Sequence, residues 1–495
     1  MRPLIRSLAL ALLLAPLPVA TAAQVSQDDA VREALEVVGT WLDAQMAYEQ
    51  IPSFQAAIVH DQELVWSRAA GLAHPDRGGA ADEHTLYSIC SISKLFTSVS
   101  VMQLRDRGLL DLRDPVAKHL PWFDLEQRFP GSAPITVEGI LTHSAGLPRE
   151  SNHPYWTEPD FAFPTKDEII AGLHEQETLY PAWKYFQYSN LGLTLAGEIV
   201  EQISGMPYDA YVRENVLRPL GMSDTYPEIP LEHREGRLAT GYGSPTRSGR
   251  REPVAFFQAK GIAPAAGYAS TARDLSRFAS WQFRLQGDAK QVLQAHTLAE
   301  MQRVHYVDPE WNTFWGLGFS ISRRGDKTFV GHGGSCPGFR SQLTLQMDEK
   351  IATVFMANAM IGAGTYTNGM YDLVSEAIRA ATGSEDPPNP SVPPPSPPQA
   401  QPGPPLDLTP FVGTYSGQPW GSETAVVRWK GSLALLSLPT ENPLRGLTRL
   451  KHDSGDVFYR VRSDGERGED VVFHRDAQGN VTSFSVFGNH SRRMR

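Results

Sequence analysis

The 495-residue sequence contains two cysteines, Cys90 and Cys336. Two thiols are too few for a metal cage or a disulfide scaffold. They leave open one disulfide or two buried thiols behaving as small apolar groups. Positive charge is also short, with 45 Lys and Arg against 55 Asp and Glu and a net charge of -10. No basic tract offsets this before the closing SRRMR, so nucleic acid is not an expected partner. Past the N-terminal leader no apolar run approaches the length of a transmembrane helix. A zinc helix is lacking too: His174-Glu175 has no second histidine to complete HExxH. No metal and no other cofactor is expected. No internal repeat is visible.

What is present begins with MRPLIRSLALALLLAPLPVATAAQ. Arg2 and Arg6, a short apolar stretch broken by Pro16 and Pro18, and Ala20-Thr21-Ala22 have the order of a secretory signal peptide with a small-residue cleavage site. We therefore expect a leader over 1–23 and an exported chain, periplasmic or secreted, with no membrane anchor once the leader is removed.

The long block 24–385 has strand-like runs at both ends and helical periodicity between them. FQAAIVH and LVWSRAAG read as a hairpin near its start. FWGLGFSIS, KTFVGHGG, SQLTLQM and IATVFMANA return as strands near its end, before a helix over YTNGMYDLVSEAIRAATG. This order predicts an α+β fold in which N- and C-terminal strands share one antiparallel sheet. Residues 386–405, DPPNPSVPPPSPPQAQPGPP, are a proline-rich linker of polyproline II type. From 406 to 495, short alternating runs split by Gly, Asp and Asn predict a small all-β domain, a barrel or a sandwich.

Three short motifs carry chemistry. YSICSISKLFTS at 87–98 contains Ser91 three residues before Lys94, at the start of an apolar helical pattern. At that spacing hydroxyl and amine share a helix face. The serine N–H would also lie among the unpaired donors of a helix N-terminus, where negative charge is favoured. FQYSNLG places Tyr188 and Asn190 on a loop ahead of a helix, where a phenol can relay a proton and an amide can hold a carbonyl. VGHGGSCPGF places His332, Gly333 and Gly334 at the end of a strand, and glycines there mark a close approach by ligand or backbone. Each motif alone also fits a helix cap, a buried tyrosine or a plain glycine turn.

Taken in order, Ser-x-x-Lys, Tyr-x-Asn and His-Gly-Gly resemble the serine β-lactamase and penicillin-binding-protein superfamily, and most closely its class C β-lactamase-like branch. ITVEGILTHSAGLP, NVLRPLGMSDT and AAGYASTARDLSRF add to the likeness. The resemblance implies an antiparallel sheet flanked by helices with an inserted all-helical part. It implies Ser91 as nucleophile, Lys94 as base and Tyr188 as the group that protonates the leaving atom. Asn190, His332, Gly333 and Gly334 would bind substrate, and the N–H groups of Ser91 and Ser335 would form the oxyanion hole. His332 stands where β-lactamases usually carry lysine. A histidine is cationic only when protonated, with an ordinary pKa near 6.5, and this weighs against β-lactam hydrolysis.

The expected function is cleavage of an ester or amide of a small molecule or peptide through an acyl-enzyme on Ser91. A true β-lactamase or DD-carboxypeptidase is the alternative, and a non-catalytic recognition protein on the same fold is the alternative of another class. Cys90 precedes the nucleophile and Cys336 follows Ser335, so a disulfide could staple the site. THSAG lacks the first glycine of an α/β-hydrolase elbow, and His143 within it is read as structural. The aromatic stretch SNHPYWTEPDFAFP at 151–164 could line a pocket or pack onto the body. The C-terminal β-domain could be a binding module, a lid or an assembly surface.

Overall fold

The computed structural model describes residues 25–153, 155–156, 160–284, 292–383, 406–416, 422–462, 465–486 and 489–494. The leader and the proline-rich linker lie outside the described residues. No described helix is long and apolar enough to cross a membrane.

The chain opens with helix α1 (Asp29–Tyr48), where the Asp28 carboxylate accepts from the N–H groups of Ala30 and Val31 and so satisfies two free donors of the first turn. Strands β1 (Ser53–His60) and β2 (Glu63–His74) form the expected hairpin. Its two-residue turn places Asp61 at φ 52°, a conformation Asp tolerates better than most side chains. Helix α2 (Ser93–Asp106), helix α3 (Asn190–Ser204) and helix α4 (Ala272–Arg284) follow. Strands β3 (Lys327–Cys336), β4 (Phe339–Gln346) and β5 (Ile351–Ala357) then return, and helix α5 (Ala363–Thr382) closes the block.

The first and last strands meet in one sheet. β1 pairs with β2 on one side and with β5 on the other, and β4 and β3 continue the nine-stranded order. All these pairs are antiparallel, as the end-loaded strand pattern required. Both faces of the central strands are covered. Ala56, Ile58, Phe355 and Ala357 join a core with Trp41 of α1 and Tyr366 of α5. Their neighbours Ala57, Val59, Val354 and Met356 join a second core with Phe96 of α2 and Phe278 of α4. The period of two along a strand thus divides the domain into two layers around the sheet.

Residues beyond the linker form a closed eight-stranded antiparallel barrel, sealed by pairing of Gly413–Ser416 with Asn489–Arg493. Closure settles the choice between barrel and sandwich. Phe411, Tyr415, Phe458, Phe473 and Phe484 fill its interior. Its outer wall carries Ala425, Val427, Trp429, Ala434 and Leu436, which pack against α1 and α5. The Trp41 indole N–H donates to Thr440 O at 2.8 Å, and Thr440 N–H donates to the Gln45 side chain at 2.9 Å. The barrel therefore docks behind the sheet, on the layer opposite α2. Among the described residues it is not a lid over the Ser91 face.

Candidate active site

Ser91 lies in a 3₁₀ turn, Cys90–Ile92, that leads directly into α2. The sequence placed it on the α-helix itself. The tighter turn arises because Cys90 takes a positive φ of 50°, which redirects the chain just before the nucleophile. Spacing still brings the pair together: Lys94 Nζ is 3.2 Å from Ser91 Oγ. Lys94 is fully buried. Its ammonium nitrogen also donates to Asn190 Oδ1 at 2.7 Å and to the Ala265 carbonyl at 2.8 Å. Burial holds its pKa well below the usual lysine value, with Glu150 opposing and Arg149 adding to the depression. A lysine so placed gives up its proton more readily than an exposed one.

Tyr188 sits on the loop before α3, whose N-cap is Ser189. Lys94 Nζ lies 4.9 Å from the Tyr188 ring centre, and the Arg149 guanidinium lies 5.0 Å from it. Burial raises the phenol pKa, against a smaller lowering by its hydrogen bond with Ser91 and by Arg149. Lys94 is pushed down and Tyr188 is pushed up, which separates their roles: the amine accepts a proton, and the phenol keeps one to give.

Asn190 begins α3, and both ends of its amide are committed. The oxygen accepts from Lys94, and the nitrogen donates to Glu150 Oε1 at 2.7 Å. The other Glu150 oxygen accepts from the Tyr155 hydroxyl. Asn190 therefore positions Lys94, a role beyond the substrate contact expected of it. Glu150 and Arg149 were not legible as site residues, because their link to Lys94 runs through a loop fold with no sequence period. His143, read as structural, packs its ring 4.3 Å from that of Tyr188 and accepts from Ser189 N–H through Nδ1 at 3.1 Å. Trp315 completes this wall, 5.1 Å from His143 and 5.5 Å from His332 between ring centres.

β3 carries the third motif. Its neighbour Ser320–Arg324 pairs only as far as Gly331, so the stretch from His332 to Cys336 has no strand partner on that side among the described residues. His332 is 3% exposed, and burial together with the nearby Lys94 lowers its pKa to about 3. Its Nδ1 is 2.6 Å from the Gly333 carbonyl, which fixes the proton there and leaves Nε2 as an acceptor. That nitrogen is buried without a partner among the described residues. Neutral His332 can accept a hydrogen bond but supplies no fixed positive charge.

Gly334 has no room for a side chain. A Cβ there would lie 2.1 Å from the Ile89 carbonyl oxygen and 2.1 Å from Ser341 Oγ. The strand is thus pressed against the segment that leads into Ser91. Cys90 and Cys336 form a disulfide, with Cα atoms 5.8 Å apart. This bond ties the residue before Ser91 to the residue after the exposed Ser335, so the two N–H groups expected to form an oxyanion hole lie on segments stapled together. The described residues of the 151–164 stretch do not stand free. Tyr155, Phe161 and Phe163 are buried, and Phe163 stacks on Phe257 at 5.2 Å. No cluster of metal-binding side chains occurs among the described residues.

The family model described as Beta-lactamase matches residues 38–376. The chain belongs to the beta-lactamase family. It is 27% identical over 341 residues to Beta-lactamase-like protein 2 of Dictyostelium discoideum, covering 67% of this chain and 61% of that one. It is 30% identical over 191 residues to the D-alanyl-D-alanine-carboxypeptidase/endopeptidase AmpH of Escherichia coli K12, covering 38% of this chain and 49% of the relative. The chain thus spans only about half to two thirds of those relatives. The octameric penicillin-binding protein homologue from Pyrococcus abyssi shares the fold, with a TM-score of 0.61 at 22% identity over 92% of this chain and 99% of that one. Its fold is the one that its three motifs implied.

Proposed function

We propose that the protein is an exported serine hydrolase that opens an ester or amide, including D-amino-acid peptides, through an acyl-enzyme on Ser91. Neutral Lys94 takes the Ser91 proton as the hydroxyl oxygen attacks the substrate carbonyl. The N–H groups of Ser91 and Ser335 hold the developing oxyanion. Tyr188 gives its proton to the leaving oxygen or nitrogen and is reprotonated through Lys94. Water then attacks the acyl carbon by the reverse proton path, releasing the acid and freeing Ser91.

The observation that carries this reading is the convergence on Lys94 Nζ of Ser91 Oγ at 3.2 Å and Asn190 Oδ1 at 2.7 Å, beneath the Tyr188 ring. The unpaired strand edge from His332 to Cys336 suits an extended peptide laid alongside it. The Cys90–Cys336 disulfide supports export, since such bonds persist in oxidising compartments. His332, neutral across the physiological range, disfavours substrates that depend on a fixed cation at that position, as a β-lactam carboxylate would.

The test is intact mass after exposure to a fluorophosphonate, a penicillin and a p-nitrophenyl ester. Phosphonate labelling and ester turnover, both lost in Ser91→Ala, are the expected results. A stable penicillin adduct would shift the reading to a penicillin-binding protein. Absence of all labelling would favour a recognition protein on the same fold.

A further inference from the structure

Behind Lys94 lies a set of buried hydroxyls that the proposed reaction does not use. The stretch from Pro264 to Tyr268 runs along the nucleophile segment and meets it four times. Ile89 N–H donates to the Tyr268 carbonyl at 2.8 Å, and Tyr268 N–H donates to Ser93 Oγ at 3.1 Å. Lys94 Nζ donates to the Ala265 carbonyl at 2.8 Å, and Thr97 Oγ1 donates to the Pro264 carbonyl at 2.6 Å. Thr97 follows Lys94 by three residues and Ser93 by four, so all three share one side of α2. From the other side Gly197 of α3 presses on Pro264, where a Cβ would come within 2.4 Å of the proline ring.

Thr97 Oγ1 is also 2.6 Å from the Tyr208 hydroxyl, which is 2.7 Å from the Tyr268 hydroxyl. All three side chains are buried, and burial raises the pKa of both phenols, which keeps them protonated. Each hydroxyl carries one proton that needs an acceptor. If Thr97 donated to Tyr208 and Tyr208 to Tyr268, the last proton would find no acceptor among the described residues. The opposite order, Tyr268 to Tyr208 to Thr97 to the Pro264 carbonyl, places every proton. We infer that Thr97, oriented by the Tyr208 and Tyr268 hydroxyls, is a positioning residue for catalysis: it holds the Pro264 carbonyl, and through it the adjoining Ala265 carbonyl, so that the Lys94 amine stays aimed at Ser91. This rests on Ser91 being the nucleophile and Lys94 its base. The Ala265 carbonyl accepts from Lys94 and so favours the charged amine. The charged and titratable groups around that amine are Glu150, Arg149, Tyr188, His143 and His332. Thr97 adds no charge of its own, so its influence on Lys94 passes through the carbonyl.

The experiment measures the pH profile of kcat/KM for p-nitrophenyl acetate on the full chain. Thr97→Val keeps the side-chain shape and removes the proton donor. With the carbonyl loosened, the charged form of Lys94 is less favoured. The acid limb is therefore expected to move down by about half a pH unit, and kcat to fall about tenfold. Thr97→Ser is expected to restore both. Tyr208→Phe leaves Thr97 free to turn towards the Ser93 carbonyl, 3.4 Å away, and is expected to move the limb the same way. It carries the test if Thr97→Val does not fold. Ser100→Ala removes another buried hydroxyl of α2, one that donates to the Phe96 carbonyl at 2.9 Å, and is expected to lower the thermal midpoint with the limb unmoved. An unmoved limb in both Thr97→Val and Tyr208→Phe overturns the inference. So does a Thr97→Ser protein that behaves like Thr97→Val, or a Ser100→Ala protein that shifts the limb equally. Ser91→Ala separates the two levels: if it retains turnover, the nucleophile assignment itself fails, whereas full dependence on Ser91 with an unmoved limb sinks only the role of Thr97.

Discussion

Gly334→Ala offers the sharpest check on the site, because the cost can be read from one contact. The added Cβ would sit 2.1 Å from the Ile89 carbonyl oxygen and 2.1 Å from Ser341 Oγ. The serine can rotate away, but the carbonyl belongs to the backbone two residues before Ser91. Opening that contact to 3.0 Å, the lower bound that real Cβ atoms observe, needs a shift of 0.9 Å (3.0 less 2.1). The disulfide between the neighbouring residues Cys90 and Cys336 resists the separation. The strain is that of an overpacked core site, about 1–3 kcal/mol. The larger effect is on chemistry. A displacement near 1 Å between nucleophile and oxyanion donors costs on the order of 100-fold in rate. We expect kcat for a p-nitrophenyl ester to fall by about that factor, with a folded protein by circular dichroism and a modestly lower thermal midpoint. Gly334→Ala with unchanged kcat would refute the placement of β3 as the oxyanion strand.

Other expectations can be checked with the same assay. Glu150 raises the Lys94 pKa and Arg149 lowers it, so Glu150→Gln should move the acid limb of the kcat/KM profile to lower pH, and Arg149→Gln should move it to higher pH. Shifts in one common direction would contradict the charge argument. Asn190→Ala removes the amide that orients Lys94 and should lower kcat by about 10²-fold or more, with a smaller change in KM. His332, with its pKa near 3, should show no imidazole titration by NMR between pH 5 and 8, and His332→Gln should leave the shape of the pH profile unchanged. Because His332 and Lys94 are held below their unfolded pKa values, the unfolded chain binds more protons as pH falls. The stability that neutral His332 contributes above pH 6.5 is therefore lost progressively from 6.5 towards 3, measurable as a falling urea midpoint. Reduction of the disulfide, which spans 246 residues of sequence, should cost up to about 5 kcal/mol in the chain-entropy view and depress ester turnover. A reduced protein with full stability and activity would remove the staple from the argument.

The parts that sequence made legible are those with short-range geometry. Ser91 and Lys94 are three residues apart, and that spacing survived the change from α-helix to 3₁₀ turn. The hairpin over Ser53–His74 and the returning strands were visible in their alternation, and end-loading foretold their common sheet. What escaped was everything fixed by distant loops. Glu150 reaches Lys94 only through Asn190, and the Ala265 carbonyl that accepts from Lys94 Nζ has no side-chain signature at all. The place of His143 against the Tyr188 ring escaped because its neighbours in sequence say nothing of that packing. The residues 151–164 were ambiguous until Phe257, almost a hundred positions later, supplied the surface they cover. Barrel closure depended on whether the strand at Gly413 meets the strand at Asn489, a pairing no local pattern encodes.

The apolar seam behind the sheet limits how the polypeptide can be divided. Trp41 packs within reach of Gly369 in α5 and of Pro443 beyond the proline-rich stretch, so closely that a methyl on Gly369 would meet both. A protease that severs the connecting prolines would leave two fragments still clasped by this shared greasy layer, migrating as one particle until denatured. Expressing residues 24–385 alone would instead bare the indole and its neighbours to water, and such a truncation is expected to precipitate even with every group around Ser91 intact.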